Sequence, residues 1–409
     1  MKKILFTFIS LTLLSFSHQL KASYRVVGYL ADWGSNATNM INNMNYDALT
    51  HVNYAFAIPN GGTGGISISY PNRLTSLVTK AHAAGVKVNI SVGGAGVTQT
   101  QAFSDISSSP TLQATFINNI VNFVKQYDLD GVDLDWEFPS TGEESKLESM
   151  LFDLRLKLNQ EESGYRYMEL TVATNGSDYY GKTLTYTATS YLDYVNIMSY
   201  DNYSSPGDHH STVSYATACL DYWKTIRGVA ASKLVLGVPF YSRPDWTAFR
   251  TISNSNAADA YNDADGIYNN YYYNSKPVLV QKANLVKNTY QAGGMMIWEL
   301  SQDRTDEYSL LDVIGVQMGT YVGINEITQT SFNAYPNPFS ESITFDFSTI
   351  QTSDENVLFE IFDITGKTVY SNTVSSKQLL ILNNNFEAGM YLCKLTSSNE
   401  SFNLKLIKE

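Results

Sequence analysis

Asp130-Gly131-Val132-Asp133-Leu134-Asp135-Trp136-Glu137-Phe138-Pro139 places four acidic residues in its first eight positions and separates three of them with Leu and Trp. In an extended chain successive side chains point to opposite faces. Asp133, Asp135 and Glu137 therefore share one face, and Val132, Leu134 and Trp136 the other. The spacing predicts a buried strand whose apolar side meets covering helices and whose other side stacks carboxyls, each roughly 6 to 7 Å from the next at about 3.3 Å rise per residue. A solvated acidic loop, or a calcium site built from Asp oxygens, is the rival reading, but either would turn Leu134 and Trp136 toward water. Carboxyls this close cannot all ionise comfortably, so at least one should hold a proton near neutral pH, as a general acid must.

Outward from this stretch, apolar segments rich in β-branched and aromatic residues recur at 25–30, 49–58, 86–92, 131–137, 168–174, 194–200, 234–241 and 294–299. Helical spacing fills several of the intervals, at 73–84, 112–127, 143–160, 213–226 and 280–291, with Pro110 near one start and Gly85, Gly228 and Gly293 after ends. Eight alternations of strand and helix predict a parallel sheet closed as a (β/α)₈ TIM barrel, an α/β fold whose chemistry sits at the C-terminal ends of its strands. The unusual residues do fall at those ends: Ser91-Val92-Gly93-Gly94, Glu137, Met198-Ser199-Tyr200-Asp201, Tyr241-Ser242-Arg243 and Trp298-Glu299.

Beyond Thr320 the composition changes to short alternating segments, 342–347, 358–363 and 390–395, with Asn, Ser and Gly turns such as Thr365-Gly366-Lys367. This predicts a small C-terminal β-sandwich at 331–409, joined by a linker at 323–330 to a barrel at 23–322. At the other end, Met1-Lys2-Lys3, the apolar run 4–16 and Lys21-Ala22-Ser23 read as a signal peptide over 1–22. The run is shorter than the roughly 20 residues that a membrane span requires, and no later stretch resembles a span.

Of the 409 residues 44% are hydrophobic, enough for a substantial core, and the net charge of −12 argues against nucleic acid as a partner. The two cysteines, Cys219 and Cys393, fall in different expected domains. They support neither a disulfide framework nor a zinc site. No cofactor and no metal is called for.

The string from Asp130 to Glu137 resembles the DxxDxDxE signature of glycoside hydrolase family 18, the chitinases and related endo-β-N-acetylglucosaminidases. Four further segments resemble family motifs in the same order: Ser91-Val92-Gly93-Gly94, Met198-Ser199-Tyr200-Asp201, Gly237 to Arg243, and Gly293 to Trp298. The resemblance implies a secreted chitinase using retaining, substrate-assisted hydrolysis. In it, Glu137 is general acid and later base, Asp135 holds the acetamido N–H, Tyr200 donates to the acetamido oxygen, and Asp133 supports Asp135. Trp298 would be the apolar floor, extended by Tyr29, Trp33 and Phe56, with Gly94, Met198, Asp201 and Arg243 as further substrate contacts. Asp130, of opposite parity, is expected to be structural.

The partner implied is chitin or N-acetylglucosamine oligosaccharides; an N-glycan-core glycosidase and a non-hydrolytic chitin-binding lectin are the alternatives. The interval from Tyr241 to Gly293 is too short for the extra α+β domain that some members insert there. The C-terminal stretch, from Tyr335-Pro336-Asn337-Pro338 to Gly366-Lys367, resembles the sorting domain of the type IX secretion system, whose machinery would then be a second partner. A carbohydrate-binding β-sandwich is the rival there. The protein is expected to act as a monomer.

Overall fold

The computed structural model of the chain describes residues 24–202, 208–321, 332–347, 354–363, 365–376, 378–383, 386–397 and 401–409. The expected leader at 1–22 and linker at 323–330 lie outside the described residues. The chain divides into two compact units after Gly323.

In the first unit eight strands are laid down in order: β1 (Arg25–Ala31), β2 (His51–Pro59), β3 (Lys87–Gly93), β4 (Gly131–Asp135), β5 (Glu169–Asn175), β6 (Tyr194–Met198), β7 (Leu234–Pro239) and β8 (Gly294–Trp298). Each runs parallel to its neighbours, and β8 pairs with β1, so the sheet closes on itself. Around it lie α1 (Pro71–Ala83), α2 (Pro110–Gln126), α3 (Glu144–Glu161), α4 (Val213–Leu220), α5 (Lys276–Asn284) and α6 (Leu310–Met318), with the helix Val97–Ser107 and several shorter ones between. This is the TIM barrel predicted by the alternation.

Two apolar layers hold it. One lies between strands and helices and takes Val132, Leu134 and Trp136 of the acidic stretch, together with Phe116, Ile120 and Val124 from one face of α2. The other contains Val27, Tyr29, Ala55, Phe56, Tyr194, Tyr200, Val235 and Met296. The face assignment for β4 is thus realised: its even-numbered residues meet the helices, and the odd ones are left for the barrel's interior.

Element boundaries differ from expectation where side chains outrank periodicity. β4 stops at Asp135 and β6 at Met198, so Glu137 and Tyr200 stand past the last paired residue of their strands. α5 begins at Lys276 rather than at 280, because Pro277 occupies its first turn. The following π-helical turn, Leu285–Tyr290, is closed by Gln291 in a left-handed conformation at φ 53°, ahead of Gly293. The helix Val97–Ser107 was not anticipated; its polar sequence carries only three buried residues, Ala102, Phe103 and Ile106. Between β7 and α5 the chain forms two short helices and a hairpin pairing Ile267–Tyr268 with Tyr271–Tyr272, and no inserted domain.

The second unit is antiparallel. A three-stranded sheet joins Asn333–Tyr335, Ser342–Asp346 and Leu379–Asn383, and a four-stranded sheet orders Thr368–Ser375, Asn356–Asp363, Gly389–Thr396 and Ser401–Lys408. Phe345, Phe347, Phe359, Ile361, Cys393 and Leu395 pack in its own core. Both sheets contribute to that core, as in a small β-sandwich. Cys219 and Cys393 are both buried free thiols, one in each unit.

Candidate active site

Asp133 has no exposed surface, and its two carboxyl oxygens accept four hydrogen bonds. Tyr29 and Ser91 each donate a hydroxyl to Oδ2 at 2.8 Å; Thr171 donates to Oδ1 at 2.6 Å and Asn196 Nδ2 at 3.2 Å. These donors come from β1, β3, β5 and β6. A residue of β4 can meet β1 and β6 only across the barrel's interior, so Asp133 is central to it. Burial raises its pKa, and the four donors oppose that rise. With every lone-pair direction committed to a protein donor, the carboxyl offers nothing to a calcium ion, and the calcium reading of the stretch loses its principal ligand.

Asp135 follows two residues on, at 3% exposure, and its Oδ1 makes no hydrogen bond to any described residue. Burial, then the charges of Glu137 and Asp133, hold its pKa well above the usual carboxylate range. Glu137 is half-buried, at the wall of a cleft of about 620 Å³ that is also lined by Thr100, Gln101, Phe138, Tyr180 and Lys182. Burial, then the Asp201 carboxylate, push it up to about 7. The Thr100 hydroxyl donates to the Glu137 carbonyl at 2.6 Å, which ties the residue's backbone to the helix after β3. The stretch therefore presents one satisfied carboxyl in the barrel and two perturbed ones above it.

Tyr200 is 8% exposed, with its hydroxyl 3.9 Å from Met296 Sδ, a weak acceptor. Burial, and then the nearby Glu137, Asp201, Asp135 and Asp133 charges, raise its pKa far above the ordinary tyrosine value, so it remains a donor. Asp201, in a left-handed conformation at φ 60°, accepts from Tyr241 and from Arg243 Nε, both at 2.8 Å. The Arg243 guanidinium also lies 3.4 Å from the centre of the Trp246 ring. Arg243 is thus drawn to Asp201 and Trp246.

Aromatic rings line the mouth beside β1, β2 and β8. Trp298 stacks on Phe56 at 5.6 Å and 23°, and Phe56 stacks on Trp33 at 5.7 Å and 25°. Trp33 is 56% exposed, which leaves this wall open to a ligand. Tyr29 meets Trp298 edge-on at 5.6 Å but is itself buried, with its hydroxyl turned inward to Asp133. Its place is beneath the wall. Met198 packs in the same inner cluster as Trp298. Gly94 takes φ +92°, and a Cβ there would stand 2.6 Å from the Phe56 ring. Its lack of a side chain is what lets Phe56 close on the loop.

Asp130 faces away from all of this, accepting from the backbone N–H of Val88 at 2.8 Å and lying 2.8 Å from His82 Nε2, a structural position as its parity implied. Three contributors escaped the sequence reading as functional residues, Thr171, Asn196 and Tyr180, while Ser91 was singled out within Ser91-Val92-Gly93-Gly94 but given no role of its own. The first two left a signal, since each is a lone polar residue flanked by Leu170 and Val172, or by Val195 and Ile197, at inward parity. Tyr180, stacked on Phe138 at 4.5 Å, left none, because it lies on the four-residue helix Asp178–Gly181, too short to carry a periodic pattern.

Comparison with known proteins agrees with this geometry. Residues 333–409 match the secretion system C-terminal sorting domain, which marks the chain as secreted or displayed at the cell surface through the type IX route. Among the described residues no helix is long and apolar enough to cross a membrane. The chain is 25% identical to chitinase A1 of Niallia circulans over 472 residues, covering 85% of this chain and 66% of that protein. It is 33% identical over 218 residues to a class V chitinase of Medicago truncatula, covering 47% of this chain and 56% of that one. It thus spans 66% or less of these two curated relatives. The crystal structure of a GH18 chitinase from the chitin utilization locus of Flavobacterium johnsoniae matches with a TM-score of 0.62 at 29% identity, covering 73% of this chain and 94% of that one. The glycosyl hydrolases family 18 profile runs over residues 25–303, from the first residue of β1 to beyond β8. Since that range takes in every strand that positions the carboxyls, the chain belongs to glycosyl hydrolases family 18.

Proposed function

We propose that the chain hydrolyses β-1,4 bonds between N-acetylglucosamine units, as a chitinase acting by substrate-assisted retention. The observation that carries this reading is Asp135: a carboxyl buried between Asp133 and Glu137, raised well above the carboxylate range, with one oxygen unclaimed by the protein. Burial and the two flanking carboxyls disfavour its charged form, which makes it a weaker nucleophile, so a retaining reaction with an enzyme ester is disfavoured at this position. Its unclaimed oxygen is instead placed to accept the N–H of a substrate acetamido group, and positive charge developing there would in turn favour the ionised carboxylate that stabilises it.

Glu137, with a pKa of about 7, protonates the glycosidic oxygen and later takes a proton from water. The acetamido oxygen supplies the attack on the anomeric carbon, and Tyr200 donates to that oxygen and aligns it. Asp133, anchored by Tyr29, Ser91, Thr171 and Asn196, fixes the field in which Asp135 sits. Trp298, Phe56 and Trp33 offer flat apolar faces to pyranose rings. The barrel at 23–322 would be the catalytic domain, and the sandwich at 331–409 the address that the secretion machinery reads.

The test uses purified protein with N-acetylglucosamine oligomers, fully deacetylated chitosan oligomers and a high-mannose glycoprotein, with products resolved by chromatography. Cleavage of the acetylated oligomers alone is expected. Equal cleavage of chitosan would remove the acetamido group from the mechanism, and release of N-glycan alone would reassign the substrate. Glu137→Gln should retain oligosaccharide binding and lose turnover by about 10²-fold or more; wild-type turnover in that variant, or a wild type that binds without cleaving, would end the hydrolase reading.

A further inference from the structure

Lys282 stands on α5 with no exposed surface, and no described carboxylate pairs with it. Its Nζ donates instead to three neutral acceptors: the Ser211 carbonyl at 2.9 Å, the Ser211 hydroxyl at 2.7 Å and Asn274 Oδ1 at 2.7 Å. Three acceptors converging on one point require three donors, which among nitrogen side chains of this shape only an ammonium provides. An unpaired buried ammonium is costly, and burial pulls this one down to about 7. The titratable groups that face it offer no counter-charge: the Cys219 thiol on α4 is pushed up to about 12 by burial, while burial lowers His209 to about 4 and also lowers His210. An apolar side chain of the same length would fill the space without that cost, so packing does not account for a lysine here.

What the ammonium holds is more informative than the ammonium itself. The Ser211 hydroxyl donates to the Ser199 carbonyl at 2.8 Å. The His210 carbonyl accepts from the Asn202 N–H at 3.0 Å. His210 Nδ1 lies 3.3 Å from the Asp201 backbone nitrogen, which donates to it, and 3.2 Å from Asp201 Oδ1. Asn274 Nδ2 donates to the Ser211 carbonyl at 2.9 Å, so α5 and Asn274, two residues ahead of it, grip Ser211 together. Tyr200 is thereby flanked on both sides by backbone tied to the dipeptide His210-Ser211.

We propose that Lys282 is a positioning residue for the reaction: it clamps His210-Ser211 against the loop after β6 and so keeps Tyr200 and Asp201 in place beside Glu137. The kinetic consequence rests on the reading of Tyr200 given above; the clamp itself does not.

The experiment compares wild type, Lys282→Met, Ser211→Ala, the double variant and a Tyr200→Phe control. It measures kcat and KM on N-acetylglucosamine oligomers and amide hydrogen exchange of the intact protein. Lys282→Met should lower kcat about tenfold with KM within about twofold, and should speed exchange at the Asp201 and Asn202 amides about tenfold while β1 to β5 keep their protection. Ser211→Ala should do the same, and the double variant should be no worse than the poorer single. Unchanged exchange at Asp201 and Asn202 in both single variants overturns the clamp, whatever the substrate proves to be. If exchange speeds up but Tyr200→Phe keeps wild-type kcat, the clamp stands and the role given to Tyr200 falls. Should Lys282→Met fail to fold, Ser211→Ala, which deletes a single hydroxyl, carries both readouts.

Discussion

The titration of Glu137 should be visible in the pH dependence of turnover. Burial, followed by the facing Asp201 carboxylate, raises its pKa from 4.5 to about 7, a preference for the protonated form of about 3 kcal/mol. A general acid works only while it holds its proton. With a pKa of about 7, roughly nine-tenths of the protein is competent at pH 6 and roughly one-tenth at pH 8, so kcat/KM should fall about tenfold across that interval. A carboxyl left at its ordinary value would already have dropped about 300-fold from its plateau by pH 7. Because Asp135 and Glu137 repel each other, the limb belongs to the pair. Asp201→Asn removes the second cause, and losing a nearby negative charge eases ionisation, so the limb should move to lower pH. The assay is kcat/KM on an N-acetylglucosamine oligomer from pH 4 to 9, with thermal melting alongside because Asp201 also accepts from Tyr241 and Arg243. A limb centred near the ordinary carboxyl value, or one that Asp201→Asn leaves unmoved in a folded protein, refutes the reasoning.

The same shift has a thermodynamic counterpart of fixed sign. A carboxyl whose folded-state pKa is raised costs stability as pH climbs from 4.5 through about 7, here by about 3 kcal/mol at most. Glu137→Gln lacks that cost, so its melting temperature relative to wild type should rise over this window and level off above it; a pH-independent difference would contradict the raised pKa. Tyr29→Phe deletes one of the four donors to Asp133 in a site with no exposed surface. It should destabilise the protein by about 1–3 kcal/mol in urea unfolding at pH 7, and an unchanged midpoint would show that the Tyr29 hydroxyl does not hold Asp133.

The barrel was legible in the sequence because its cause is periodic. Burial on both faces of a parallel sheet demands apolar runs, covering helices demand three- and four-residue spacing, and both patterns are written residue by residue. The alternation in Asp133-Leu134-Asp135-Trp136 assigned those carboxyls to one face before any contact was known, since the pleat of a strand is a local property. The helix Val97–Ser107 was not legible, because it follows the Gly-rich turn Gly93-Gly94-Ala95-Gly96 and buries too few residues to leave a pattern.

Asp133 separates the two sources of information most sharply. Its residue type and parity could be read from the chain, but that Tyr29, Ser91, Thr171 and Asn196 converge on it depends on four strands spread over more than a hundred and sixty residues meeting across a closed sheet. Likewise Lys282 reads in sequence as an ordinary helix-surface lysine, and only the folding of α5 onto His210-Ser211 strips it of water. The amino-acid order by itself determined which faces are apolar, in what order strands and helices alternate and which acids lie in register. Tertiary structure alone decided which carboxyl is satisfied, which is raised and which side chain holds which, because hydrogen bonding and desolvation depend on neighbours in space, and closure of the barrel is what chooses them.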